Sequence, residues 1–451
     1  MRYCKAVEGV KLEALKAYDV RFPTSLTLAG SDAVHTSPDY SCAYVVLTAS
    51  GTSLEGHGLT FTCGRGTDLV AEAARAYAFL VEGEELAGIV SDMRAFYRRL
   101  ANHQHLRWLG PEKGTVQLAL AAVVNAVWDL WAKLEGKPLW KLITDMTPEE
   151  IVSVVEFRHM TDVLSEKDAL DILRSNQSGK ARREAEVAKD GIPAYITSVG
   201  WMGYSEDKIK ALCKESVEAG WNDFKMKVGV SLEDDARRAE IIRSVIGWDR
   251  RLMMDANQVW EVSEAIDWMT KLAKFKPYWI EEPTSPDDVL GHKKIADAMG
   301  KLGIGVATGE HCQNRVLFKQ FLASGALSFA QIDACRLGGP SEILAVLLCA
   351  AKLNVPVCPH AGGVGLCEYV RHLAVINYLC IAPTWENTLV EFADHLHEHF
   401  KDPAVVQKAH YICPSMPGYS AEMKEESLAE HVFPSGPCWQ KLAKEKKSQY
   451  H

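Results

Sequence analysis

Asp255, Glu281 and Glu310 each stand at the C-terminal end of a short apolar run, in RLMMDAN, YWIEEPT and IGVATGE, about one strand-plus-helix unit apart. Carboxylates so spaced can converge from neighbouring parallel strands on one divalent cation. An all-carboxylate set completed by water or substrate suits Mg²⁺, with Mn²⁺ as a substitute, whereas Zn²⁺ would favour His and Cys. Glu282 adjoins Glu281, and strand alternation turns only one of the pair inward. Upstream, FKMKVG puts Lys225 and Lys227 on the same strand face. One could bind a substrate carboxylate; the other, desolvated beside its partner's charge, could have a lowered pKa and act as a base. Downstream, VPVCPHAGG offers His360 and AQIDACR offers Asp333. A carboxylate beside the imidazole would orient it and favour its protonated form, making an acid/base dyad. Glu391, in LVEFADH, completes the ring as a substrate contact. The structural alternatives are a helix-capping or ion-paired Glu, a surface lysine pair and a satisfied polar His.

These residues need a scaffold that aligns strand ends, and the chain after Ala194 supplies the pattern. Apolar or β-branched runs recur at AYITSV, DFKMKV, RLMMDA, YWIEEP, IGVATG, SFAQID, VPVCPH and ENTLVEF, with amphipathic helical segments between them. That repeat predicts an α/β fold with a modified (β/α)7β TIM-like barrel over 194–397, whose polar residues gather at the C-terminal mouth. A doubly wound sheet is the rival. Residues 17–150 read differently, as sheet followed by helices, and predict an N-terminal α+β capping domain. Its first strand is expected in AYDVRFPTS, and GHGLTFTCGRG is expected to form a flexible lid. The charged segment 151–193 reads as a connecting insertion, and 398–451 as a tail packing back on the first domain.

Bulk properties narrow the function classes. The 451 residues are 47% hydrophobic and 24% charged, an ordinary globular composition, and the net charge of -9 is spread along the chain. No basic block marks a nucleic-acid footprint, and no apolar run is expected to span a bilayer. The twelve cysteines show no CxxC pairing and read as reduced thiols, with Cys335, Cys358 and Cys367 as small buried residues. MRYCKAVEGVKLEALKAYDV carries no clear targeting signal, leaving a cytoplasmic or mitochondrial address. AGGVG at 361–365 lacks the Lys-Ser/Thr of a phosphate loop, and His395, His397 and His399 are expected to pair with Asp394 and Glu398 rather than bind metal.

Taken together, Lys225-Met-Lys227, Asp255-Ala-Asn257, Glu281-Glu-Pro, Gly309-Glu310, Asp333 and His360 resemble the enolase superfamily, in its mandelate-racemase-like group. Longer strings, including VRFPTSL, LRWLGPEKG, PTSPDDVLGH and CPHAGGVGLCE, are most similar to the L-fuconate dehydratase branch of that group. The resemblance implies Mg²⁺ on Asp255, Glu281 and Glu310, Lys227 and His360 as acid/base groups with Asp333 orienting His360, and Lys225 against a substrate carboxylate. Asn257, Glu391 and Trp201 would complete the substrate contacts, with cap loops 22–38 and 56–66 setting specificity. The implied reaction is loss of water from an acid sugar, L-fuconate to 2-keto-3-deoxy-L-fuconate. A racemase or epimerase, or a catalytically silent binding paralogue, are the alternatives. Homo-oligomerisation is left open.

Overall fold

The computed structural model describes residues 5–450, so the first four residues of the stretch read for a targeting signal lie outside it. An antiparallel sheet opens the fold: β1 (Lys11–Arg21), β2 (Ser41–Ser50) and β3 (Gly56–Thr62), in that spatial order. β1 begins well before the expected run at AYDVRFPTS. A bulge between Leu12 and Ala14 breaks its period-two pattern, which hides the first half of the strand from a sequence reading. GHGLTFT is likewise a strand and not a flexible lid, because each of its residues pairs with β2.

The helix Gly114–Leu134 lies on this sheet. Gly56 and Gly58 permit the approach, since a Cβ at Gly58 would stand 2.1 Å from the Ala122 carbonyl oxygen and one at Gly56 2.3 Å from that of Ala126. Contrary to the expectation from sequence, this helix is long and apolar enough to cross a membrane; most of it is buried inside the fold, as a helix apolar on all sides must be.

The second sheet is built from β4 (Ile192–Gly200), β5 (Asp223–Lys227), β6 (Arg251–Asp255), β7 (Pro277–Glu281), β8 (Gly305–Thr308), β9 (Phe329–Ala330) and β10 (Val390–Phe392). β4 to β9 are parallel neighbours in chain order, and β10 pairs in parallel with β4 on its other side. The expected strand at VPVCPH is reduced to a single parallel bridge, Ala330–Val357, and Asp333 lies beyond the two-residue β9. Backbone hydrogen bonds still carry the path onward: His360 N donates to Ile332 O at 3.0 Å and Glu391 N to Pro359 O at 3.2 Å. Pro356 and Pro359 have no N–H to give, which shortens the ladder there. Helices follow the strands, several opened by side-chain caps such as Ser205 on the Lys208 amide and Ser231 on the Asp234 amide. The architecture is α/β with a parallel sheet.

Three helices, Pro148–Val154, Glu166–Ser175 and Lys180–Asp190, occupy most of the connecting segment. The final stretch contacts both sheets. β11 (Val406–Gln407) and β12 (His410–Tyr411) form a hairpin whose second strand pairs antiparallel with β4. Beyond it, Tyr419 N donates to Asp129 at 2.6 Å, Val432 bridges Val20, and Trp439 Nε1 donates to Arg21 O at 3.0 Å.

Candidate active site

Register brings the charged residues to one level. Lys227 pairs with Asp255 across β5 and β6, and Asp255 with Glu281 across β6 and β7, so three strand ends present their side chains side by side. Ligand oxygens of Asp255, Glu281 and Glu310 come within 4.8 Å of one another. Lys227 Nζ lies 2.6 Å from Asp255 Oδ2. Lys225 Nζ is held by Glu281 at 2.6 Å, Glu391 at 2.8 Å and Asp255 at 3.3 Å. On the other side, His360 Nδ1 donates to Asp333 Oδ2 at 2.7 Å while Nε2 faces Glu310 Oε2 at 3.4 Å. Asp333 is itself fixed by the amides of Cys335 and Arg336 at 2.7 and 2.8 Å.

Both lysines have raised pKa values, against the expectation that one would be lowered. Burial disfavours the Lys227 ammonium, but Asp255, Glu310 and Asp32 outweigh burial and the repulsion from Lys225. For Lys225 the same contest is won by Glu281 and Glu391. Burial also opposes the imidazolium of His360, yet Glu310, Asp333 and Glu391 bring its pKa up to about 9. His360 is therefore charged at neutral pH.

The carboxylates fit a divalent cation on grounds internal to the structure. Six carboxyl groups, Asp255, Glu281, Glu282, Glu310, Asp333 and Glu391, meet Lys225, Lys227 and His360 here, and burial beside Glu310 and Asp255 holds the Glu282 carboxyl well above the usual carboxylate range. Burial and the neighbouring Asp255 push the Glu281 carboxyl upward. Glu310 Oε2 is buried and, although His360 Nε2 faces it, accepts no hydrogen bond among the described residues. Hard oxygen donors with spare negative charge are what Mg²⁺ requires.

Glu282 departs from the expected alternation. It follows Glu281 yet is also fully buried, because its φ of 44° turns the chain out of the strand conformation. Gln258 Nε2 donates to its Oε1 at 2.8 Å, Oε2 has no hydrogen-bond partner among the described residues, and it could join Glu310 and His311 as an alternative ligand set.

A cavity of about 290 Å³ opens above this cluster, lined among others by Lys227, Asn257, Glu310, Asp333, His360, Glu391 and Trp201. Lys225, Asp255 and Glu281 lie beneath its wall, fully buried. Asn257, at φ 46°, donates its backbone N–H to Asp255 at 3.0 Å, and its buried side-chain Oδ1 has no hydrogen-bond partner among the described residues. Trp201 packs edge-on against His395 at 5.3 Å. Of the trio His395, His397 and His399, His399 pairs as expected, its Nε2 3.6 Å from Glu398 while Nδ1 contacts Ser427; His397 donates instead to Glu368, 2.8 Å away, and His395 packs at an angle against Trp201 and Tyr40.

Several cavity residues were not singled out from sequence. Asp32 and His35 enter from the connection between β1 and β2, joined at 3.0 Å, and their hydrogen bond raises the pKa of His35. Arg336 donates to His311 Nδ1 at 3.3 Å, and His311 is pushed down to about 3 by burial and by that guanidinium. It therefore stays neutral and offers Nε2–H. Their only sequence signal is adjacency: His311 follows Glu310, and Arg336 lies within the same AQIDACR string as Asp333.

Known proteins resemble this chain over most of its length. The family described as "Enolase C-terminal domain-like" matches residues 208–427. The chain is 57% identical over 433 residues to the human protein named "Mitochondrial enolase superfamily member 1", covering 96% of this chain and 98% of that one. The crystal structure of that human protein superposes with a TM-score of 0.95 at 56% identity, over 96% and 98% of the two chains. "L-galactonate dehydratase" of Hypocrea jecorina is 51% identical over 435 residues, 95% of this chain and 96% of its own. An L-talarate/galactarate dehydratase from Salmonella typhimurium LT2, solved "liganded with Mg and L-lyxarohydroxamate", shares the fold with a TM-score of 0.71 at 23% identity, over 94% and 93%. Identity of this extent along almost the entire length, over a site whose carboxylates and lysines meet as described, makes this chain a member of the enolase superfamily.

Proposed function

We propose that the protein is a Mg²⁺-dependent acid-sugar dehydratase, with L-fuconate as substrate and 2-keto-3-deoxy-L-fuconate as product. The observation carrying this reading is that Lys227 and the His360–Asp333 dyad line one cavity directly above a buried, electron-rich carboxylate cluster. Asp255, Glu281 and Glu310 would hold the cation, and when bound it would offset charge growing on the substrate carboxylate. The scaffold reads as a modified (β/α)7β barrel under an N-terminal capping domain, supported by the hydrogen bonds that lead from β9 through 356–360 to β10.

Lys225 supplies fixed positive charge beneath the substrate carboxylate. Lys227, as the free amine, takes the α-proton, and the C–H electron pair moves into an enediolate. Cation binding at Asp255 would oppose the raised pKa of Lys227, because a bound divalent charge reverses the local field. His360, protonated, gives its proton from Nε2 to the β-hydroxyl. The C–O bond breaks, water leaves, and the enol tautomerises to the 2-keto acid. Asp333 holds the imidazole through Nδ1 so that Nε2 carries the transferable proton. Asn257, Glu391 and Trp201 border the substrate, and Asp32, His35 and His311 offer hydrogen-bonding groups above it.

The 51% identity to an L-galactonate dehydratase favours a second substrate reading. L-fuconate is 6-deoxy-L-galactonate, so the two share the centres at which the chemistry occurs and differ only at the far end. Purified protein with Mg²⁺ should form 2-keto acid from one or both, with the higher kcat/KM naming the substrate. Proton exchange at C2 without 2-keto acid would mark a racemase or epimerase, and no reaction with any acid sugar would defeat the dehydratase reading. The address is proposed as mitochondrial or cytoplasmic.

A further inference from the structure

We infer that the segment Ser448–Tyr450 is a strap whose Gln449 and Tyr450 act as positioning residues, holding together the two cap loops that roof the cavity. This rests on the acid-sugar reading of that cavity. The loops are far apart in sequence. One, residues 29–40, contributes Asp32, His35 and Tyr40 to the cavity wall; the other, residues 62–66, contributes Cys63 and Arg65.

Gln449 joins them through its two ends. Its side-chain Nε2 donates to Asp39 Oδ2 and to Ser37 O, both on the first loop. Its main-chain oxygen accepts from Arg65 Nη2 at 2.9 Å, on the second. Asp39 is buried and lies between Pro38 and Tyr40, which both face the cavity. A hydrogen bond to a buried carboxylate is among the stronger kinds, so Gln449 restrains the first loop where it borders the substrate space.

Tyr450 secures the other side. Its ring packs on Phe433 at 5.0 Å and Trp439 at 5.5 Å, with the guanidinium of Arg21 4.6 Å and that of Arg65 5.3 Å from its centroid. Gly64 lies directly beneath: a Cβ there would stand 2.4 Å from the Tyr450 hydroxyl oxygen, and its φ of 102° favours glycine in any case. The strap is anchored in turn by Trp439, whose indole donates to the β1 carbonyl of Arg21. Substrate enters beneath loops whose spacing this segment sets. Arg65 is thereby held at the cavity edge, where it can meet an anionic or hydroxylated ligand.

The test compares the full chain with Gln449→Ala, Tyr450→Ala, Tyr450→Phe and a chain ending at Ser448. Hydrogen–deuterium exchange needs no substrate and judges the strap alone. Faster exchange in 29–40 and 62–66, with the helix Gly114–Leu134 unchanged, is expected for the two alanine variants and the shortened chain, whereas Tyr450→Phe keeps the ring and the slow exchange. Unaltered loop exchange overturns the strap, even if the full chain turns over no acid sugar, a result that would defeat the functional reading separately. With an active full chain, KM should rise about tenfold, as loss of one charge-assisted hydrogen bond implies, while kcat changes less than about twofold. Unchanged KM in all variants overturns the positioning role. If the shortened chain fails to fold, Gln449→Ala decides, since it leaves the aromatic packing intact.

Discussion

The strands of the parallel sheet carry two adjacent layers of inward side chains, two residues apart, and the layers differ in almost every property. Below lie Tyr195, Met253, Trp279, Ala307, Phe329, Cys358 and Leu389, a closed apolar cluster. Above lie Asp255, Glu281, His360 and Glu391, each two residues beyond a member of that cluster on its own strand or segment. Lys225 is the exception. It stands level with Met253, in the apolar layer, and reaches upward to Glu281 and Glu391. One layer excludes water by packing, and the other concentrates charge that such a dry floor makes strong. The lesson is that the floor supplies the low dielectric in which the carboxylates need a cation.

The most severe break in the upper layer is Lys227→Ala. Turnover of the best acid sugar should fall on the order of 10⁴-fold, as measured by 2-keto-acid formation, with circular dichroism to verify that the variant is folded. Chelation should act as strongly but reversibly: EDTA abolishes turnover and Mg²⁺ restores it, whereas activity that survives exhaustive chelation would separate the carboxylates from the chemistry. Asp333→Asn keeps an oxygen on the Cys335 and Arg336 amides and so turns an NH2 donor toward His360 Nδ1, removing the charge that holds the imidazolium. A loss of about 10²-fold in kcat is expected, smaller than for Lys227 because the imidazole itself remains.

The lower layer should answer to stability instead. Trp279→Ala removes a fully buried indole and should cost about 3–5 kcal/mol in urea unfolding. Trp279→Phe sharpens the distinction, because the indole N–H also donates to Glu281 Oε2 at 3.1 Å. It should lower apparent Mg²⁺ affinity about 10-fold with a modest stability loss; equal affinity would mean that the floor only fills space. The smallest effect lies far from both layers. Glu422, held by Lys133 at 2.6 Å and by Lys401, has its pKa lowered from 4.5 to about 2, the ion pairs and hydrogen bonds overcoming burial. A lowered carboxyl stabilises the fold above its unfolded pKa, and this contribution is lost as pH falls from about 4.5 towards 2. Glu422→Gln should therefore flatten acid unfolding in that window by about 1 kcal/mol, since the pair is partly exposed.

Much of the upper layer was legible because strand ends announce themselves: an apolar run followed by Asp, Glu, Lys or His needs only period-two alternation to place the side chain. The sequence misled where the backbone left that rule. Glu282 adopts positive φ just after a strand, which no pattern of residue types announces. The lysine pKa differs from expectation because desolvation and the neighbouring lysine, the two causes weighed from sequence, are outweighed by Asp255, Glu281 and Glu391 around the pair. Proline-rich VPVCPH was read as a full strand although two of its residues lack an N–H. His311 and Arg336 were passed over because a tertiary hydrogen bond, not spacing, brings them into the cavity.

The bridge between Val432 and Val20, with Phe433 N donating to Asp19 O, joins nearly opposite ends of the chain. During synthesis the first strand emerges long before its late partner exists. The edge of β1 is covered at Lys11 by a bridge to Glu85, but around Val20 it waits uncovered until Val432 has left the ribosome. A chaperone that shields that edge would raise the yield of native protein most when translation is slow.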